Sequence, residues 1–375
     1  MHILIAPDSF KESLSAAQVA EAIKLGFSKV YPHASYDLLP LGDGGEGTVE
    51  SLTDALSLDV KHTYVTGPFG DKVKVTYAMK DDLAVFEMAA IVGLGSIPHE
   101  KRNPLLLKTE GIGELIVELV QNGAQRILIG VGGSASHDGG IGMASGLGVR
   151  FYDCDGDEVE AIGAHLGKIV RYSTDEMLVD LSQVRIDLVT DVNNPLCGPL
   201  GATYVFAGQK GLAPEEFERI DEEMAGFYNN VNPEILAVSG AGAGGGMAAG
   251  LVQFAGAHIQ KGVDFVMNQL NFDHRVAEAD LVIVGEGRMD IQSLAGKTPI
   301  GVAQRTPDGV PIIAICGSLK DDLPDFPFEN ICAAFPIIAS VDSLEHTLKN
   351  AEKNLIRTAE QVARVIQLGG TVRWN

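Results

Sequence analysis

Apolar positions along the chain fall into short dense runs and longer helical stripes, and their alternation predicts a layered α/β fold. The run His2 to Ala6 reads as a strand. A helix is expected after it, because Ser15 and Gln18 form a capping box and Val19, Ile23 and Phe27 recur at helical spacing. A second strand at Tyr36 to Leu41 runs into GDGGEGT and a helix from about Glu46 to Leu56. The repeated strand-turn-helix unit begins a parallel sheet.

After Leu58 the pattern changes to alternating β-branched segments, HTYVTGPFGDKVKVTYAM and LAVFEMA, with GPFGDK and KDD as turns, which predicts an antiparallel meander. An amphipathic helix follows, with Ile112, Leu115, Ile116, Leu119 and Val120 on one face and a stop at Gly123. From about Ala279 the parallel grammar returns: a strand at 281 to 285, a helix from Lys297, strands at Ile312 to Ile315 and Ile331 to Phe335, and a helix from Ser343 to Ile366. Two initial and three final strands complete one doubly wound sheet. The fold class expected is therefore α/β: a discontinuous Rossmann-like domain made of residues 1–65 and 267–375, with a second α/β domain inserted at 66–266. A cleft between two such domains is the default ligand site.

Composition narrows the function. The length of 375 residues suits two domains with real cores. A net charge of −22 disfavours nucleic acid or an anionic membrane surface as partner, and no apolar run approaches transmembrane length. Such a chain must concentrate its few cations where an anionic ligand binds, so Lys11, Arg288 and Lys297 carry extra weight. Cys154, Cys197, Cys316 and Cys332 are widely spaced and mostly in apolar sequence, as expected of reduced thiols in a cytoplasmic protein. The N-terminal stretch has neither the basic start nor the cleavage site of a signal peptide. The oligomeric state stays open, a homodimer being one option.

Three glycine-rich segments carry the candidate chemistry: GVGGSASHDGGIGMASGLG from Gly130, GAGAGGGMAAG from Gly240, and GEGRMDIQSLAGK from Gly285. A strand that ends in a glycine turn and reopens as a helix presents backbone N–H groups and the positive helix end to a phosphate or carboxylate. Gly132, Gly133, Ser134, Gly242, Gly245 and Glu286 are the binding candidates there. Glycines of this density also serve tight turns and close packing. At the ends of the first two strands, Asp8, Ser9 and Lys11 and then Asp43 and Glu46 are placed where open α/β sheets bind ligands. Asp191 follows another predicted strand, at Asp187 to Thr190. In FAGQKG, Gln209 and Lys210 read as either a surface loop or a binding segment.

Several signals fail on spacing. GKT at Gly296 lacks the glycine that a P-loop requires at position 291, where Ile291 stands. The run Asp153, Asp155, Asp157 lacks the glycine and terminal glutamate of an EF-hand and reads as an acidic turn. Gly240, Gly242 and Gly245 fit the dinucleotide fingerprint, with Asp264 at the distance of a ribose-binding acid. An NAD-dependent oxidoreductase acting on a small hydroxy acid is therefore the rival reading, and a binding protein that closes on a small acid without turnover is a third.

Taken in order, APDSFKESLSA, LGDGGEGT, EMAAIVGL, GELI, GVGGSASHDGGIGM, DVNNPLCGPLGA, FAGQKG, GAGAGGG and GEGRMDIQSLAGKTPIGVA resemble the bacterial type 1 glycerate kinase family nearly end to end. Glu12 stands where the family often has glycine, Glu110 where serine is frequent and His137 where asparagine is usual. The resemblance implies ATP-dependent phosphorylation of D-glycerate, usually at its 2-hydroxyl, with ATP and Mg²⁺ as cofactors and a two-domain fold with a discontinuous Rossmann-like domain. Phosphoryl transfer needs alignment, a divalent metal and cations facing the developing charge. The residues expected to supply these are Asp191 or Asp290 at the metal, Lys297 or Arg288 at the transferred phosphoryl group, and Ser9, Lys11 and Asp43 around glycerate. Asp43 or Asp8 is the expected acceptor of the hydroxyl proton.

Overall fold

The structure, a computed structural model, describes residues 1–369 except 11, 43–51, 54, 55, 292, 294–296, 339 and 341. Lys11, Asp43, Glu46 and most of the helix expected at 46–56 lie outside the described residues. In chain order the strands are β1 (His2–Ile5), β2 (Ser35–Leu38), β3 (Asp59–Thr66), β4 (Lys72–Lys80), β5 (Leu83–Glu87), β6 (Arg126–Gly130), β7 (Arg150–Tyr152) and β8 (Arg171–Ser173). They continue with β9 (Arg185–Thr190), β10 (His258–Lys261), β11 (Leu281–Val284), β12 (Arg288–Met289), β13 (Ile312–Cys316), β14 (Ser318–Leu319) and β15 (Ile331–Pro336).

Contacts divide the chain into two compact units. One combines the described residues of Met1–Asp43, Glu50–Ser57 and Gly262–Asn375; the other takes in Leu58–Lys261.

The first unit is built on a five-stranded sheet of order β15-β13-β11-β1-β2, parallel throughout. Ile3, Ile5, Leu281 and Ile283 are buried in it beside Val19, Ile23 and Phe27 of helix Ala16–Ser28. That helix begins as its sequence predicts: the Ser15 hydroxyl accepts from the Gln18 N–H and the Gln18 side chain accepts from the Ser15 N–H. The C-terminal helix, expected as one piece, is two, Leu344–Lys349 and Ala351–Gly369, with the Asn350 N–H and side-chain amide both donating to the His346 carbonyl at the break. Taken from β2, the strand order follows the chain as second, first, third, fourth, fifth. The winding therefore reverses between β1 and β11, the place where an open parallel sheet binds ligands at the C-terminal ends of its strands.

The second unit carries a mixed six-stranded sheet of order β10-β9-β6-β5-β4-β3. The expected meander is present as antiparallel β3, β4 and β5, but β5 then pairs in parallel with β6, and β6, β9 and β10 continue parallel. All of β3 pairs with β4, and among the described residues this unit runs from Leu58 to Lys261. Its core gathers Phe86, Ile129, Leu188 and Met247 with one face of helix Glu110–Gln121. Asp153 forms the expected acidic turn, its Oδ1 accepting from the N–H groups of Asp155 and Asp157. Of the four free cysteines, Cys154 and Cys332 are exposed, not packed among apolar side chains.

Candidate functional site

In the first unit the loops after β1 and β11 place a compact set of charges. Asp8 follows β1 and is buried; its Oδ1 accepts from the Ser9 N–H at 2.6 Å and its Oδ2 from the Thr298 hydroxyl at 3.1 Å. The Asp8 N–H donates to the carbonyl of Gly285, which ties the loop after β1 to the loop after β11. Glu286 comes next, 6% exposed, with no hydrogen-bond partner for Oε1 among the described residues. The Ser293 hydroxyl donates to this carboxyl and accepts from the Asp290 N–H at 3.1 Å. Arg288 is exposed and pairs with Asp290 at 3.3 Å, while Lys297 is the N-cap of helix Thr298–Arg305. The β12–β14 ladder holds the loop after β11 against the loop after β13.

Burial pushes the Glu286 carboxyl up to about 7; Ser293 and Lys297 act against the rise, and the negative charges of Asp8 and Asp290 add to it. An unfolded glutamate ionises near pH 4.5, so between pH 4.5 and 7 the folded chain holds a proton that the unfolded chain has lost. The stability this supplies is complete below pH 4.5 and is lost as the pH rises through 7, by up to about 3 kcal/mol. Glu286→Gln should remove that loss, so that urea unfolding at pH 5 and pH 8 shows a smaller drop for the variant than for the wild type. Equal drops would show that Glu286 is ionised at both pH values.

The second unit holds a more deeply buried polar cluster in the loop between β6 and helix Ile141–Leu147. Asp138 accepts from the Thr109 hydroxyl at 2.6 Å and from the N–H groups of Gly140 at 2.9 Å and Gly142 at 3.2 Å. Burial raises its pKa, against these hydrogen bonds and the charge of Lys210. His137 Nε2 lies 3.0 Å from the Thr203 hydroxyl, and burial, with the charge of Lys210, pushes the imidazole down to about 3, so it is neutral. Lys210, on the turn Gly208–Lys210, is 3% exposed and donates at 2.8 Å both to Ser134 Oγ and to the Ser136 carbonyl. Burial brings its ammonium down to about 7 while Asp138 pulls it up.

These placements sort the expected residues. Asp8, Ser9, Glu286, Arg288, Asp290 and Lys297 come together in the first unit. Gly132 is half-buried and Gly133 exposed at the turn before Ser134. Gly242 and Gly245 are both buried, and a β-carbon on either would collide with a backbone carbonyl oxygen, that of Pro195 for Gly242 and that of Ser136 for Gly245, so close packing by itself requires glycine at both. Asp191 is exposed at the end of β9 in the second unit, whereas Asp290 belongs to the first. Among the described residues no group of three or more His, Cys, Asp or Glu side chains is arranged to hold a metal ion. Lys210 is the residue that sequence reasoning undervalued.

The profile of the glycerate kinase family matches residues 3–367. The chain belongs to the glycerate kinase family. A glycerate kinase of Neisseria meningitidis serogroup B is 52% identical over 368 residues, covering 98% of this chain and 99% of that one. The glycerate 2-kinase of Escherichia coli K12 is 39% identical over 376 residues, covering 98% and 99%. A crystal structure assigned to glycerate kinase 2 of Salmonella typhimurium LT2 matches with a TM-score of 0.87 at 41% identity, covering 99% of this chain and all of that one. The dinucleotide fingerprint at Gly240 loses its basis in the geometry of this family member. Such a fingerprint must follow a strand, and this one follows the 3-10 turn Pro233–Ala237.

Proposed function

We propose that the protein transfers the γ-phosphoryl group of ATP to D-glycerate, most directly at the 2-hydroxyl. The observation that carries this reading is the joining of buried carboxylates with Lys297 at the reversal between β1 and β11, where a parallel sheet of this order binds ligands. The name of the Escherichia coli relative supports the 2-hydroxyl.

The roles follow from what each group offers. Lys297 and Arg288 place positive charge for the transferred phosphoryl group, and Arg288 can also fork onto a carboxylate. Asp8, fixed by Ser9 and Thr298, is the described candidate to accept the hydroxyl proton, and Ser9 is assigned to glycerate. The loop at Gly132, Gly133 and Ser134 is assigned to nucleotide phosphate. Mg²⁺ supplied with ATP would neutralise phosphate charge; it keeps several waters and needs only one or two carboxylates beside the phosphates, which suits Asp290 or Asp191.

A coupled assay of ADP release with and without D-glycerate tests the reading. Release that requires D-glycerate is the expected result. Release independent of it, or none with D-glycerate, would overturn it.

A further inference from the structure

A lysine ammonium buried to 3% exposure is expensive unless its hydrogen bonds are met, and Lys210 meets two of them on one short stretch of another loop. That stretch contains Ser134, next to the exposed turn at Gly133. We propose that Lys210 is a positioning residue for nucleotide binding, which holds Ser134 as a hydrogen-bond donor to phosphate. The inference rests on the reading of Gly132 to Ser134 as the phosphate loop.

A serine hydroxyl has one proton to give and lone pairs to accept with. At Ser134 a lone pair is taken by Lys210 Nζ at 2.8 Å, so the hydroxyl proton points away from the ammonium and is available to an acceptor. Phosphate oxygens only accept, so a serine held in this way matches them. The second bond, to the Ser136 carbonyl, fixes the backbone two residues on. The segment that presents Lys210 is anchored separately: the π-helical turn Thr203–Ala207 before it is bound to the same loop through Thr203 and His137. Gly245 closes the far side, where a β-carbon would come within 3.0 Å of Nζ. The lysine is thus held from three segments far apart in sequence, and what it holds in turn is the edge of the exposed glycine turn.

A purely structural role, in which Lys210 only balances Asp138, makes a different prediction. The test is a double-mutant cycle of Lys210→Met and Ser134→Ala, read by calorimetric titration of ADP, the KM values for ATP and D-glycerate, and thermal unfolding. Ser134→Ala should weaken ADP binding about tenfold, as expected for a lost hydrogen bond to a charged group. Lys210→Met should weaken it severalfold, and the double variant no more than Ser134→Ala alone, because the lysine acts through the serine. The KM for D-glycerate should stay within about twofold throughout.

ADP affinity unchanged in Lys210→Met, or fully additive effects, would overturn the proposal even if the melting temperature fell. Should Lys210→Met fail to fold, Ser134→Ala decides alone, and wild-type ADP affinity in that variant overturns the proposal. A wild-type protein that turns over D-glycerate while both single variants bind ADP normally leaves the function standing and removes only the role of Lys210. A wild-type protein that neither binds ADP nor makes a phosphoglycerate removes both.

Discussion

Lys297→Met is expected to lower kcat about a hundredfold and to leave the melting temperature within about 3 °C of the wild type. Methionine keeps the stem of the side chain and deletes its charge, so packing around the start of helix Thr298–Arg305 changes little. What is lost is a cation at a positive helix end, beside a buried carboxyl that the lysine holds down in pKa. Removing one preorganised donor to a developing negative charge has an effect of this size. The coupled assay reads kcat and a thermal melt reads folding. Full activity would place Lys297 outside the reaction, and activity lost together with folding would mark it as structural.

Gly245→Ala is expected to cost about 3 kcal/mol of stability. At φ +71° the backbone of this residue is left-handed, which costs an L-residue roughly 1–2 kcal/mol, and its new β-carbon would collide with the Ser136 carbonyl, adding an overpacking cost of about 1–3 kcal/mol. Gly256 is the control. It has φ +64° with nothing within 4 Å of a would-be β-carbon, so Gly256→Ala should cost only about 1 kcal/mol. Urea unfolding of the two variants separates the backbone cost from the collision. Equal costs at both positions would mean that the packing of the glycine turn against the loop of Ser136 does not contribute to stability.

How far the molecule was legible in its sequence depended on whether the deciding interactions were local. Ser15 and Gln18 make their capping box within four residues, and the helix begins where they place it. The apolar runs of β1, β11, β13 and β15 announced a parallel sheet, and the positions of Asp8 and Glu286 just past its strand ends followed from that. Lys210 was ambiguous for the opposite reason: its burial is created by Ser134 and Ser136, more than seventy positions earlier, and by the glycine turn at 245. The same long-range packing decided the glycines. A glycine that admits a phosphate and one that admits a neighbouring backbone look alike in sequence, and the structure separates exposed Gly133 from buried Gly242 and Gly245. The join of β5 to β6 in parallel also lay beyond local patterning, since β5 pairs with β4 as a meander strand should and its second neighbour is supplied only after helix Glu110–Gln121.

The central claim is tested most directly by a proton-coupled phosphorus NMR spectrum of ATP, Mg²⁺ and D-glycerate after incubation with the protein. A phosphate ester on the 2-hydroxyl is bonded to a carbon bearing one hydrogen and gives a doublet; an ester on the 3-hydroxyl is bonded to a CH₂ group and gives a triplet. The account predicts a new phosphomonoester doublet growing as ATP is converted to ADP. A triplet would contradict the assigned hydroxyl, and ATP converted only to inorganic phosphate, or no new signal, would contradict the assignment of a glycerate kinase reaction to this chain.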